Sequence, residues 1–166
     1  MPIATQVPLE EYLQTEYEPD CDYVDGALED RNVGKKRHSR TQQRTILVLS
    51  PRVAPHGLEP LPEQRIQIST TKVRIPDICL CAADDDEEVM HRPPPLCIEI
   101  LSPEDRLSRL LKIVADYIAF GVPVIWIVDP YNREAFVVTQ QNPTLQQVDE
   151  LRWNDVVVQL NEILPE

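Results

Sequence analysis

The chain has 166 residues, 42% of them hydrophobic, and a formal net charge of -12. That length suits one globular domain over residues 1–166, able to bury a core without disulfide staples. No apolar run approaches bilayer-spanning length, the N-terminus has neither the basic opening nor the apolar core of an export signal, and Cys21, Cys79, Cys81 and Cys97 lie mostly within apolar runs where reduced thiols act as small hydrophobes, so a cytoplasmic protein is expected and a membrane span or disulfide framework is excluded.

In chain order, Pro8 to Thr15 (PLEEYLQT) predicts a short helix with proline in its first turn. Asp22 to Glu29 holds an Asp-Gly pair between apolar residues, a hairpin signal. The segment from Arg31 to Arg44, RNVGKKRHSRTQQR, carries six lysines and arginines and no acid, and it runs into a helix predicted over His38 to Leu49. The total charge repels phosphate, which argues against general affinity for nucleic acid. A local cationic patch still engages a polyanion, with strongly salt-dependent affinity, and its candidate contacts are Lys35, Lys36, Arg37, His38, Arg40 and Arg44. A solvated helix start that balances nearby acids is the competing reading.

Four prolines between Pro51 and Pro62 predict a loop, and the alternation of Gln64 to Ser69 predicts a half-buried strand. Thr71 to Cys81 reads as a strand, and Ala82 to Pro95 as an acidic, proline-terminated connection. After the apolar run CIEIL, Ser102 is placed to cap a helix, with Pro103 at its first position and Asp105 completing a capping box. Leu107, Leu110, Leu111, Val114 and Ile118 form its apolar stripe, and Gly121 and Pro123 end it. The continuous run PVIWIVD predicts a strand covered on both faces, so strand-helix-strand order implies a parallel crossover. EAFVVTQQ predicts another strand, and VVVQLNEIL a strand turning into a short helix.

Two carboxylates, Asp77 and Glu99, fall inside these apolar runs. An ionised carboxylate there is costly unless a cation or proton compensates it. A shared divalent ion supplies that compensation, and magnesium is held by one or two carboxylates together with substrate phosphate, which points to phosphodiester chemistry. Alternation puts Ile75, Asp77, Cys79 and Cys81 on one face of their strand and Cys97, Glu99 and Leu101 on one face of the next, so antiparallel pairing offers a register with Asp77 beside Glu99. A helix doubling back over the sheet brings Lys112, roughly 15 Å along its axis, within reach of both.

Each of these residues also has a plain structural reading. Asp77 after Pro76 suits a turn at a strand entry, and Lys112 suits the solvated side of an amphipathic helix. Trp126 suits the core. Cys79, Cys81 and Cys97 project to one face and, with Asp77 or Glu99, offer a zinc set, although Cys-x-Cys within a strand is a poor chelating geometry.

Taken together, DYVDGAL, the basic helix with a histidine near its start, RIPDICL, PLCIEILSPEDR, Lys112, Tyr117 and GVPVIWIVDP resemble the Uma-two family of restriction endonucleases, within the PD-(D/E)XK nuclease superfamily, over roughly Leu9 to Pro165. The resemblance implies an α/β (α+β) fold with a restriction-endonuclease-like core, a mixed sheet flanked by helices, a divalent ion (Mg2+ or Mn2+) on the motif carboxylates, and hydrolysis of DNA phosphodiesters. By position, Asp77 matches the motif aspartate and Glu99 the motif acid, both catalytic metal ligands. Leu101 stands where the superfamily pattern has lysine, and Lys112 looks like the relocated catalytic cation, positioning the attacking water or stabilising charge in the transition state. Where relatives often read Glu-Leu-Ile-Asp-Gly-Glu-Leu, this chain has Asp22 at the first acid and Ala27 at the second.

The expectation is therefore a metal-dependent endonuclease acting on DNA, with Asp77 and Glu99 as ligands, Lys112 assisting and the Arg31 to Arg44 segment contacting the backbone. By analogy with nucleases that cut both strands, a homodimer is expected. The alternative is a catalytically silent DNA-binding or protein-interaction module on the same scaffold, which Ala27, Leu101 and the negative total charge favour.

Overall fold

In the computed structural model, residues 6–31 and 34–166 are described. Helix α1 (Leu9–Gln14) precedes a hairpin of β1 (Cys21–Val24) and β2 (Ala27–Asp30). Asp25 and Gly26 at its tip have φ of 50° and 89°, the double positive φ of a tight hairpin turn that the Asp-Gly pair permits. Helix α2 (Lys36–Val53) is followed by β3 (Leu58–Pro62), β4 (Ile66–Ser69), β5 (Lys72–Arg74), β6 (Ile78–Ala82) and β7 (Cys97–Ile100). Helix α3 (Leu107–Phe120) leads to β8 (Val124–Asp129), β9 (Glu134–Thr139), β10 (Gln146–Val148), β11 (Glu150–Trp153), β12 (Val156–Gln159) and the terminal α4 (Leu160–Ile163).

The strands form a six-stranded sheet in the order β10-β9-β8-β7-β6-β3, a four-stranded sheet β2-β1-β5-β4 and the β11-β12 pair. β7 and β8 run parallel across the α3 crossover, while the other pairs of the large sheet are antiparallel, so that sheet is mixed, as expected. Period-two alternation divides its side chains between two cores. Ile78, Leu80, Ile98, Ile100, Trp126 and Val128 pack with Leu49 and Val53 of α2. Cys79, Cys81, Cys97, Ile125 and Ile127 pack with Leu110, Ile113, Val114 and Tyr117 of α3. Both faces are covered, which is why β6 to β8 read as apolar runs on both faces, interrupted in β7 only by Glu99.

Four expectations change. The stretch from Pro51 to Pro62 is not a loop. α2 takes Pro51 into its last turn, giving up one main-chain bond to the carbonyl of Leu47, an exposed residue, and β3 carries Pro60 and Pro62 as an edge strand, the place where a missing N–H is tolerated. Thr71 to Cys81 divides into β5 and β6 of two different sheets, because Pro76 cannot continue a ladder. α3 begins at Leu107, not after Ser102. Asp105 does take the Ser102 N–H at 2.6 Å, as in a capping box, but the single turn it closes ends at Arg106, whose backbone is extended. Finally, β10 and β11 occupy a stretch between the predicted strands where the sequence pattern predicts none.

Candidate active site

The antiparallel register of β6 and β7 pairs Ile78 with Ile98 and Cys79 with Cys97. One residue further along that register, Asp77 stands opposite Glu99, on the α3 side of the sheet. Asp77 is fixed by its neighbours: its Oδ2 accepts the Ile100 N–H at 2.7 Å, its main-chain oxygen accepts from Gln42 Nε2 at 2.8 Å, and its Oδ1 lies 3.2 Å from Arg31 Nη2 and 3.4 Å from His38 Nε2. Glu99 Oε1 accepts the Tyr117 hydroxyl at 2.6 Å.

A third carboxylate comes from the hairpin. Asp22 on β1 is buried, with Oδ2 3.0 Å from Arg74 Nη1 and Oδ1 accepting the Ile75 N–H at 3.2 Å. Arg74 also binds Glu29 and, through Nε and Nη2, Asp116 of α3, which ties hairpin, β5 and helix together. Asp22, Asp77 and Glu99 line one cavity of about 50 Å³, together with Arg31, His38 and Arg109. At roughly 10–15 Å³ per water, that volume admits an ion and part of its hydration shell.

The electrostatics are those of a site short of positive charge. Burial, and then the charge of Asp77, push the Glu99 carboxyl well above the usual range against the pull of Tyr117 and Arg31. Burial raises Asp22 as well, opposed by Arg74. Burial works against the charge of Arg31, but Asp77, Asp22 and Glu99 outweigh it and hold the guanidinium protonated. Burial likewise opposes the charging of His38, and the hydrogen bond and charge of Asp77 prevail, raising it above the ordinary histidine value. His38 Nδ1 is buried without a hydrogen-bond partner among the described residues.

The sequence-derived residues separate into two groups. Asp77, Glu99 and His38 meet at the cavity. Lys112 does not: it lies exposed, two residues and about 200° of helix rotation beyond the buried Leu110, and it is absent from the cavity wall. Lys35, Lys36, Arg37 and Arg40 are exposed around the start of α2, with Lys35 paired to Glu104 and the Arg37 guanidinium 5.3 Å from the centre of the Tyr131 ring. Arg44 is turned inward, donating to the Leu164 carbonyl at 2.9 Å. The sequence places Asp22 at the first acid of the family's hairpin pattern without assigning it to the site, and Arg31 only at the start of the basic segment; Arg74 and Arg109 are not singled out by it. The signal for Arg74 was present, since an arginine inside VRIPDI requires a buried carboxylate.

A mixed sheet that sets two carboxylates side by side at the end of an antiparallel strand pair, beneath a crossover helix, is the restriction-endonuclease-like fold. The chain belongs to the Uma2 family, described as "putative restriction endonuclease", with residues 9–166 matched. It is similar in structure to a crystallised "putative nuclease belonging to DUF820" from Anabaena variabilis, with a TM-score of 0.83 at 20% identity over 95% of this chain and 97% of that one. No curated protein matches it.

The donor chemistry suits a hard divalent ion. Asp77 and Glu99 offer oxygen ligands from adjacent strands, and the raised proton affinity of Glu99 marks a place where further positive charge is favourable. Among the described residues no group of three or more His, Cys, Asp or Glu side chains is arranged to hold a metal ion. The zinc alternative gains nothing, because Cys79, Cys81 and Cys97 are packed in the α3-side core.

Proposed function

We propose that this chain is a divalent-metal-dependent DNA endonuclease, a single nuclease domain over residues 1–166, with Asp77 and Glu99 as its metal ligands. The observation that carries the reading is the continued β6–β7 register, which sets those carboxylates against one another at a cavity wall also lined by Asp22. Magnesium or manganese, when bound, supplies a Lewis acid for the scissile phosphate and lowers the pKa of water. The chain's own residues orient and compensate. Ile100 N–H and Gln42 fix Asp77, Tyr117 fixes Glu99, and Arg74 holds Asp22 in place behind them. Lys35, Lys36, Arg37 and Arg40, exposed at the start of α2, would take the DNA backbone, positioning it without reading sequence. A homodimer would supply the two sites needed to cut both strands, and a reducing, cytoplasmic setting suits the four free, buried cysteines.

Two observations favour the silent-module reading: Asp77 Oδ1 already faces Arg31 and His38, and the superfamily lysine position holds Leu101. Plasmid digestion with magnesium or manganese, beside Asp77→Ala and Glu99→Ala, separates the two. Cleavage by the wild-type protein that both substitutions abolish supports the nuclease. Cleavage unaffected by either substitution overturns it, and metal binding without cleavage supports the silent module.

A further inference from the structure

The geometry points to Arg31 as the built-in cation of the carboxylate site, the group that stands in for the superfamily lysine and faces both the incoming metal and the substrate phosphate. This rests on the nuclease reading and assigns a residue to it. Leu101 lines the cavity with an apolar side chain, and Lys112 lies outside it, so neither position supplies charge. Arg31 enters instead from the end of the β1–β2 hairpin. Its side chain is 14% exposed, with Nη2 3.2 Å from Asp77 Oδ1, Nε 3.9 Å from Asp22 Oδ1 and Nη1 3.8 Å from Glu63 Oε1.

Two other cations line the cavity, and each is less suited. His38 is charged only when protonated, whereas a guanidinium is charged at every working pH. Arg109 makes no hydrogen bond or ion pair with Asp22, Asp77 or Glu99 among the described residues. Arg31 is pre-oriented by its hydrogen bond to Asp77 and by the nearby charges of Asp22 and Glu63, which lowers the entropy cost of placing a long side chain at the moment of reaction. Its planar fork matches phosphate oxygens, and the contacts to Asp22 and Glu63 are longer than a hydrogen bond, so those edges are free to turn toward a phosphate. The same charge repels a divalent ion placed on Asp77 and Glu99. Arg31 therefore limits metal affinity while it stabilises charge on the phosphate.

That opposition makes the assignment testable without turnover. Manganese binding to the DNA-free protein is measured by calorimetry for the wild-type protein, Arg31→Gln and the double variant Arg31→Gln/Leu101→Lys, which returns a cation to the cavity. Arg31→Gln is expected to bind manganese about tenfold or more tightly, as removal of a like charge at this range requires, and the double variant to return within about threefold of the wild type. Plasmid cleavage is expected to fall about a hundredfold in Arg31→Gln, and to recover in part with added guanidinium ion or in the double variant. If Arg31→Gln fails to fold, the double variant alone is compared with the wild type, and an affinity within threefold supports the assignment. Unchanged or weaker manganese binding in folded Arg31→Gln, or a double variant far from wild-type affinity, overturns it. If the wild-type protein binds manganese but cleaves nothing, the nuclease reading fails, while the affinity comparison still decides the placement of Arg31.

Discussion

Tyr117 donates its hydroxyl proton to Glu99 Oε1 at 2.6 Å, from the buried face of α3 to the carboxylate wall of β7. That bond favours the ionised acid, yet burial and the neighbouring Asp77 prevail and raise Glu99 well above the usual carboxylate range. The consequence for stability has a definite sign. A folded-state pKa above the unfolded one means that the folded protein holds a proton the unfolded chain releases, so stability is greatest below the unfolded value and is lost as pH rises through the folded one.

Glu99→Gln, fixed in the neutral form, is therefore expected to be more stable than the wild-type protein at about pH 8, by about 1–2 kcal/mol, and level with it near pH 4. His38, also raised, loses stability with rising pH in the same direction, so the test is the difference between the two proteins and not the wild-type curve alone. Urea unfolding at the two pH values measures it. Equal or lower stability of Glu99→Gln at pH 8 would show that Glu99 is adequately compensated without a metal. Manganese should then stabilise the wild-type protein and not the variant, by mass action on the folded state.

Arg74 carries a different kind of load. It neutralises Asp22 and Asp116, joining β5 to the hairpin and to α3, and its side chain is 3% exposed. Arg74→Ala leaves Asp22 with only the 3.9 Å contact to Arg31, and Asp116 with only Lys72, as ion-pair partners among the described residues, in a poorly hydrated space, and a loss of roughly 3–5 kcal/mol is expected. Arg74→Lys keeps the charge but not the fork that reaches Asp22, Glu29 and Asp116 together, so an intermediate loss is expected. Chemical denaturation of both variants tests this, and a loss below about 1 kcal/mol in Arg74→Ala would mean that water replaces the guanidinium.

The parts of this site that were legible in the sequence are those governed by period two. A carboxylate inside PDICLC or CIEIL is conspicuous, and alternation fixes the face each occupies, so antiparallel pairing offers a register with Asp77 beside Glu99; the pairing itself comes from the fold. Distance along the helix axis puts Lys112 within reach of the acids, but its angle around the axis turns it away from them. At about 100° per residue, Leu110 and Ile113 face the core and Lys112 does not. Asp22 and Arg31 reach the cavity through tertiary closure of a hairpin more than forty residues before Asp77, which no local pattern encodes. β3 was hidden by its prolines, which mark a sheet edge as readily as a loop.

The position of Lys112 gives its own expectation. An exposed side chain off the cavity wall contributes neither to metal binding nor to phosphate stabilisation, so Lys112→Ala should keep plasmid cleavage within about threefold of the wild-type rate under matched manganese. A loss of tenfold or more, with unchanged melting temperature, would mean that α3 moves to bring Lys112 inward when DNA binds.

The last expectation concerns the basic start of α2. Lys36 and Arg40 are both exposed, lie four residues apart and so share one helix face, whereas Arg44, one turn further, is held by the Leu164 carbonyl. If the exposed pair contacts phosphates, replacing both with alanine should reduce the slope of log affinity against log salt by about 2, since each phosphate contact contributes about 0.9. Arg44→Ala should leave that slope unchanged and lower the melting temperature instead, because its guanidinium joins α2 to the end of the chain. Fluorescence anisotropy with a short duplex, between about 50 and 200 mM salt, reads the slope over the range where the term is steep. An unchanged slope in Lys36→Ala/Arg40→Ala would move the DNA-contacting surface away from α2, and on a protein of charge -12 it would leave few other places for a phosphate backbone to settle.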